Sequence, residues 1–206
     1  MIFDLWDTLV DWRPTAIDRM ADRLGRDRAE FWAAWDASRT RRDGGEALEL
    51  SLRALGADEE LVPELVAIRR EATREALVPR PGALDTLEEL SRRGLQLGMI
   101  SVCSEEVPEL WGETAFAGRF DSLVFSCSVG LRKPDPRIYR LCLDELGVEA
   151  RDALFVGDGA NDELAGAERV GMRAVLIHRR GQAPIWPEAR SWDLRITSIP
   201  EVLDLC

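Results

Sequence analysis

Four places in this sequence put reactive side chains directly after, or shortly beyond, apolar runs of strand length. Phe3-Asp4-Leu5-Trp6-Asp7-Thr8-Leu9 sets a carboxylate behind Met1-Ile2-Phe3, and Gly98-Met99-Ile100-Ser101 ends a run on a hydroxyl. Arg132-Lys133-Pro134 places a lysine ahead of a proline-rich helix start, and Val156-Gly157-Asp158-Gly159-Ala160-Asn161-Asp162 carries two carboxylates beyond a third run. Taken singly, each has a plain structural explanation. Ser101 could cap a strand end, Lys133 could be a solvated surface charge, and Asp158 with Asp162 could cap the helix that follows. Taken together, a hydroxyl, an ammonium group and paired carboxylates with a cation can hold a small anion locally, whatever the net charge of the chain.

Strand-end positions matter because an open parallel sheet binds its ligands at the carboxyl edge of its strands. The runs Met1 to Phe3, Leu97 to Ile100, Leu123 to Phe125, Leu154 to Val156 and Ala174 to Ile177 are apolar throughout, as strands buried on both faces must be. The first run is short at its N-terminal side, as though the true start lay upstream. Helical patterns separate the later runs, with Leu84, Leu87 and Leu90 inside Gly82 to Arg93 and Ile138, Leu141 and Leu143 inside Arg137 to Leu146. Strands alternating with helices predict an α/β fold with a doubly wound parallel sheet. The stretch 13–78 reads differently. It has no convincing strand and four helical patterns, carried by Ile17, Met20 and Leu24, by Phe31, Trp32 and Trp35, by Leu48, Leu52 and Leu55, and by Leu61, Leu65, Ile68 and Ala72. Breaks at Gly25, Gly44-Gly45, Gly56 and Pro79 to Gly82 divide and close this insertion. The expected organisation is a core of residues 1–12 and 79–206 with an all-helical insertion at 13–78.

The ordered set Asp4, Ser101, Lys133 and Asp158 with Asp162 resembles the four motifs of the haloacid dehalogenase superfamily, and the resemblance spans nearly the whole chain. The long interval before Ser101 leaves room for a helical cap, and the interval between Lys133 and Asp158 admits one helix and one strand. The resemblance implies a Rossmann-like core and a hydrolase with Asp4 as covalent nucleophile. Ser101 would donate to a substrate oxygen and Lys133 would neutralise charge between nucleophile and phosphate. Asp4, the backbone carbonyl of Trp6 and Asp158 would form an oxygen site suited to Mg²⁺, with Asp162 supporting it. Trp6, Ser101 and Arg41 are the candidate substrate contacts.

One position departs from that pattern. Phosphatases of the superfamily usually carry a second aspartate two residues after the nucleophile, as a general acid and base. Here it is Trp6, whose indole has no proton to exchange near neutral pH. Asp7 follows, and in extended chain its side chain would face away from the substrate unless a bulge brought it round. The 2-haloacid dehalogenases of the same superfamily tolerate an aromatic residue there, because halide leaves without a proton. The acidic loop from Gly157 to Asp162 weighs the other way. The leading expectation is therefore a Mg²⁺-dependent phosphatase of a small phosphorylated metabolite, with a 2-haloacid dehalogenase-type hydrolase and a catalytically silent binding module as rivals. Trp32 and Trp35 lie at helical spacing, which suits core packing for at least one of them. Arg39, Arg41 and Arg42 suit recognition of carboxylate or phosphate.

Composition bounds the remainder. A chain of 206 residues with a formal charge of −11 is poorly suited to nucleic acid or an anionic membrane, since both are captured by basic surface. No apolar stretch approaches bilayer length, and the opening residues lack the basic and apolar regions of a signal peptide, so a cytoplasmic enzyme is expected, as monomer or homodimer. Cys103, Cys127, Cys142 and Cys206 form no C-x-x-C pair and read as buried, reduced thiols.

Overall fold

The computed structural model describes residues 1–179 and 181–206. Within them, six parallel strands form one sheet: β1 (Ile2–Phe3), β2 (Gly98–Ser101), β3 (Ser122–Phe125), β4 (Leu154–Gly157), β5 (Arg173–Ile177) and β6 (Arg195–Ile196), in the spatial order β3-β2-β1-β4-β5-β6. Apolar residues on both faces of β1 to β5 make two cores, because successive side chains point to opposite sides. Phe3, Met99, Val156 and Val175 face one cluster with Leu87 and Leu90, while Ile2, Ile100, Phe155 and Leu176 face another with Ile138, Cys142 and Leu164. Helix α6 (Ala83–Arg92) contributes to the first cluster, and α9 (Pro136–Leu146) and α10 (Glu163–Arg169) to the second. The fold is thus α/β, with helices on both sides of the sheet. The sixth strand escapes sequence reading because two residues, one of them charged and exposed, carry no alternation to detect.

Helix α9 illustrates how local sequence sets the frame. The Asp135 side chain accepts from the Arg137 amide at 2.9 Å, Pro136 occupies the first turn, and Gly147 ends the helix in the left-handed region at φ 65°. The next residue before this cap is Pro134, so the helix start fixes where Lys133 leaves the loop.

Between β1 and β2 the chain forms α1 (Thr15–Leu24), α2 (Arg28–Ala37), α3 (Arg39–Asp43), α4 (Leu48–Ala54) and α5 (Val62–Ala76). Ile17, Met20, Phe31, Trp35, Leu52 and Leu65 pack into a third cluster of their own. The short helix α3 has no apolar periodicity, which is why four patterns rather than five are visible in the sequence. It docks on the core through Arg132, whose guanidinium reaches Thr40 Oγ1 at 2.9 Å and Asp43 at 3.1 Å. Two further α-helices lie among the described residues, α7 (Glu106–Leu110) after β2 and α8 (Ser126–Val129) after β3. None of the described helices is long and apolar enough to cross a membrane. All four cysteines are free, and Cys103 and Cys142 are buried. Cys127 is half-buried and Cys206 exposed, against the expectation of burial for both.

Candidate active site

The chain order reverses direction across the sheet at β1, which has β2 on one side and β4 on the other, and the crevice beyond their carboxyl ends is the switch point of this topology. Asp4 follows β1 directly, and its amide still bonds to the Val156 carbonyl at 2.8 Å, so the nucleophile candidate is held by the sheet itself. The chain then turns sharply. The Leu5 carbonyl accepts from the amides of Leu9 and Val10 at 2.9 and 3.1 Å, and Asp7 adopts φ 55°.

Lys133 is buried and its ammonium group bonds to both Asp4 Oδ1 and Glu163 Oε2. Asp4, Asp158 and Glu163 each bring an oxygen within 4.8 Å of the others. Burial alone would lower the lysine pKa, but the adjoining charges of Asp4 and Glu163 outweigh it and hold the ammonium above its ordinary value. Burial first, and the charge of Asp4 second, push the Asp158 carboxyl up to about 6. The same two causes raise Glu163 well above the ordinary glutamate value. Three buried carboxylates share one ammonium group here, so the cluster has an excess of negative charge that a divalent cation would relieve.

The acidic loop explains which carboxylates are recruited. Asp158 Oδ1 accepts from the Ala160 amide at 3.1 Å, and Oδ2 from the indole Nε1 of Trp186 at 2.7 Å. Asn161 and Asp162 both take left-handed conformations, at φ 54° and 55°, and this reversal delivers Glu163 into the cluster. Its Oε1 accepts from the Gly159 amide at 3.0 Å. Gly157 makes room, since a Cβ there would come within 2.1 Å of Glu163 Oε1. Ser101 is wholly buried at the end of β2, and its Oγ has no hydrogen-bond partner among the described residues. A buried hydroxyl without a partner is costly, and such an atom in a site is accounted for by a ligand or water that takes the bond.

The structure therefore brings Asp4, Lys133 and Asp158 together, with Ser101 on the neighbouring strand end. It does not bring two other candidates. Asp162 lies outside the cluster, with its carboxylate paired to Arg169 at 3.0 Å on the surface, and Glu163 takes the inward place. Arg41 turns to Glu46 at 3.1 Å, half exposed, and does not line the cavity between core and insertion, whereas Arg39, Arg42 and Arg69 do. Helix geometry decides this, because neighbours on a helix point about 100° apart. Arg42 stacks 3.7 Å from the Trp35 ring centre and donates to the Trp35 carbonyl at 2.9 Å. Burial, and then the charge of Arg69, lower its pKa to about 10. Glu163 had only a faint signal in the sequence, an acidic residue opening an apolar helix.

Trp6 lines the same cavity, as does Asp7. Asp7 Oδ1 accepts from the Trp12 amide at 3.3 Å and faces Arg80 at 3.4 Å, while burial raises its pKa. The left-handed turn thus brings Asp7 to the cavity border, where an extended chain would have turned it away.

Residues 1–171 match the family model described as haloacid dehalogenase-like hydrolase. The chain is 36% identical to a phosphoserine phosphatase of Thermus thermophilus, over 91% of this chain and 73% of the relative. It is 32% identical to phosphoglycolate phosphatase 1 of Pseudomonas aeruginosa, over 86% of this chain and 68% of that one. Its fold superposes on a 2-haloacid dehalogenase from Pseudomonas syringae with a TM-score of 0.74 and 25% identity, covering 99% and 96% of the two chains. The converging carboxylates and lysine at a switch-point crevice, and these likenesses across most of the length, identify the chain as a hydrolase of the haloacid dehalogenase-like family.

Proposed function

We propose that this hydrolase is a Mg²⁺-dependent phosphatase of a small phosphorylated metabolite, acting through a phosphorylated Asp4. The observation that carries the reading is the buried cluster of Asp4, Asp158 and Glu163 around the single ammonium group of Lys133. A carboxylate substrate alone would add repulsion to that cluster, whereas a phosphate arriving with a divalent cation balances it. The donor set fits Mg²⁺, since Asp4 and Asp158 bring hard carboxylate oxygens together, and the Trp6 carbonyl would complete the set. When bound, the ion would offset charge on the phosphoryl oxygens.

The residues of the chain do the rest. The Asp4 carboxylate attacks phosphorus, and the leaving oxygen departs with the bonding pair. Lys133 bonds to Asp4 Oδ1, which orients the nucleophile, and faces the charge that builds up on the transferred group. Ser101 supplies its unpaired hydroxyl to a phosphoryl oxygen. Glu163 holds Lys133 in place from the far side, a positioning role in this reading. Water then attacks phosphorus and releases Asp4. The insertion helices cover the crevice and limit the entry of bulk water. A cytoplasmic setting suits such an enzyme and its free cysteines.

Trp6 supports a second reading, release of halide from a 2-haloacid, since that leaving group needs no proton. One experiment separates the two. Purified protein is assayed for phosphate release from a panel of phosphorylated metabolites with Mg²⁺ and with EDTA, and for chloride release from 2-chloropropionate. Phosphate release abolished by EDTA supports the proposal. Chloride release insensitive to EDTA replaces it, and neither activity above buffer leaves a silent binding module.

A further inference from the structure

Tryptophans border the crevice to an unusual degree. The cavity between core and insertion, about 420 Å³, is lined by Trp6, Trp12, Trp32 and Trp186, none of which is buried. They come from separate elements: Trp6 and Trp12 from the segment after β1, Trp32 from α2, and Trp186 from the segment between β5 and β6. Trp12 and Trp32 meet edge to face with ring centres 5.7 Å apart. Trp186 is fixed beside the cluster by its bond to Asp158 at 2.7 Å. Trp35, the remaining indole of this wall, is buried under Arg42 and serves packing.

Partly exposed indoles on several sides of one cavity next to a phosphoryl site present flat, polarisable faces to whatever carries the phosphate. Such walls accept either a planar ring or an organic cation. Four arginines (Arg13, Arg39, Arg42 and Arg69) and four aspartates (Asp7, Asp36, Asp43 and Asp158) line the same cavity, so its charges balance and offer an organic cation no net partner, whereas the ring faces are open to a neutral planar group. A cavity of this size accommodates a phosphoryl group with one or two fused rings.

We propose that the substrate is a phosphate monoester of a phenol-type aromatic alcohol, its ring held against Trp6 and the contacting pair of Trp12 and Trp32. The proposal rests on the phosphatase reading and explains Trp6. An oxygen of Asp4 bonds to phosphorus while the bond from phosphorus to the aryl oxygen breaks, and the aryloxide leaves with the electron pair. A phenol has a pKa near that of tyrosine, about 10, so its anion takes a proton from solvent after departure and needs no acid in the site. Water then adds to phosphorus, Asp4 is released as carboxylate, and the water protons pass to phosphate and solvent. The sum is aryl phosphate plus water giving phenol plus inorganic phosphate. A side chain that donates no proton costs little in this reaction, and its ring is free to bind another.

The test separates ring binding from leaving-group chemistry. With Mg²⁺ present, steady-state constants are measured for benzyl phosphate, cyclohexylmethyl phosphate and 2-naphthyl phosphate. Benzyl and cyclohexylmethyl esters release similar alkoxides, so a KM about tenfold lower for benzyl reports stacking. Turnover of the 2-naphthyl ester should exceed the benzyl ester by about 10²-fold or more, the usual worth of a general acid. Trp32→Leu and, separately, Trp12→Leu should bring the benzyl to cyclohexylmethyl KM ratio towards one. Titration calorimetry with 2-naphthol and with decahydro-2-naphthol gives a measurement of binding independent of turnover. Tighter binding of 2-naphthol, weakened by Trp32→Leu, supports the aromatic site even where no ester is hydrolysed, an outcome that overturns the phosphatase reading alone. Equal binding of the two alcohols, or equal KM for benzyl and cyclohexylmethyl esters in an active enzyme, overturns the aromatic proposal.

Discussion

Replacing Lys133 by methionine removes the only ammonium group from a buried cluster of three carboxylates, and its cost can be worked from the site. Lys133 bonds to Asp4 and Glu163, and all three side chains are almost fully buried. Deleting one partner of a buried pair typically costs about 3–5 kcal/mol, because a charge is left uncompensated. Proton uptake limits the damage. Glu163 is already held well above the ordinary glutamate value and Asp158 at about 6 with the lysine present, and loss of Lys133, which lowers both, moves them higher still. Binding a proton at pH 8 therefore costs no more than about 2.7 kcal/mol, two units at about 1.36 kcal/mol each. The folded variant should carry one proton more than its unfolded chain between about pH 6 and 8. Since stability falls with pH wherever the native state holds the extra proton, the deficit should be about 3 kcal/mol at pH 8 and shrink by about 1.4 kcal/mol per unit on the way to pH 6. For a chain of this length that is a loss of roughly 6–12 °C in melting temperature at pH 8. Urea unfolding of both proteins at pH 6, 7 and 8 without divalent ions measures it. An equal deficit at every pH, or none at pH 8, would refute the argument that these carboxylates depend on Lys133.

Asp4→Asn should abolish turnover of every substrate with the fold retained, since an amide is a poor nucleophile. Full activity in that variant would exclude the covalent route. Asp162→Ala should leave Mg²⁺-dependent activity within about twofold and stability within about 1 kcal/mol, as expected for a surface pair with Arg169. Glu163→Gln should lower kcat more than 10-fold by loosening Lys133, on the scale of positioning errors in active sites. The reverse ranking in kcat would return Asp162 to the site. Trp6→Asp should raise kcat/KM for alkyl phosphates relative to p-nitrophenyl phosphate by about 10²-fold or more, the usual worth of a general acid. An unchanged ratio in a folded variant would mean that Asp7 or the substrate already supplies the proton.

Much of this protein was written in local sequence. Runs such as Met99-Ile100 and Phe155-Val156 are apolar at successive positions, as strands covered on both faces are, and the helical patterns between the runs made the parallel sheet legible. Asp4 and Ser101 were legible because a reactive residue ending such a run must emerge at the carboxyl edge. Tertiary structure decided what depends on direction rather than spacing. Nothing local distinguishes Asp162 from Glu163 as the inward carboxylate. Two left-handed residues turn the chain there, and a glycine on β4 leaves the room that Glu163 fills. Arg41 and Arg42 are equal in sequence, yet one residue step along α3 sends the first to Glu46 in solvent and packs the second on Trp35. The tryptophans of the cavity come from segments far apart in the chain. Their meeting beside Asp158 is fixed only when the helical insertion and the segment after β5 settle over the same strand ends, since a shared binding surface is a property of packing and not of any one segment.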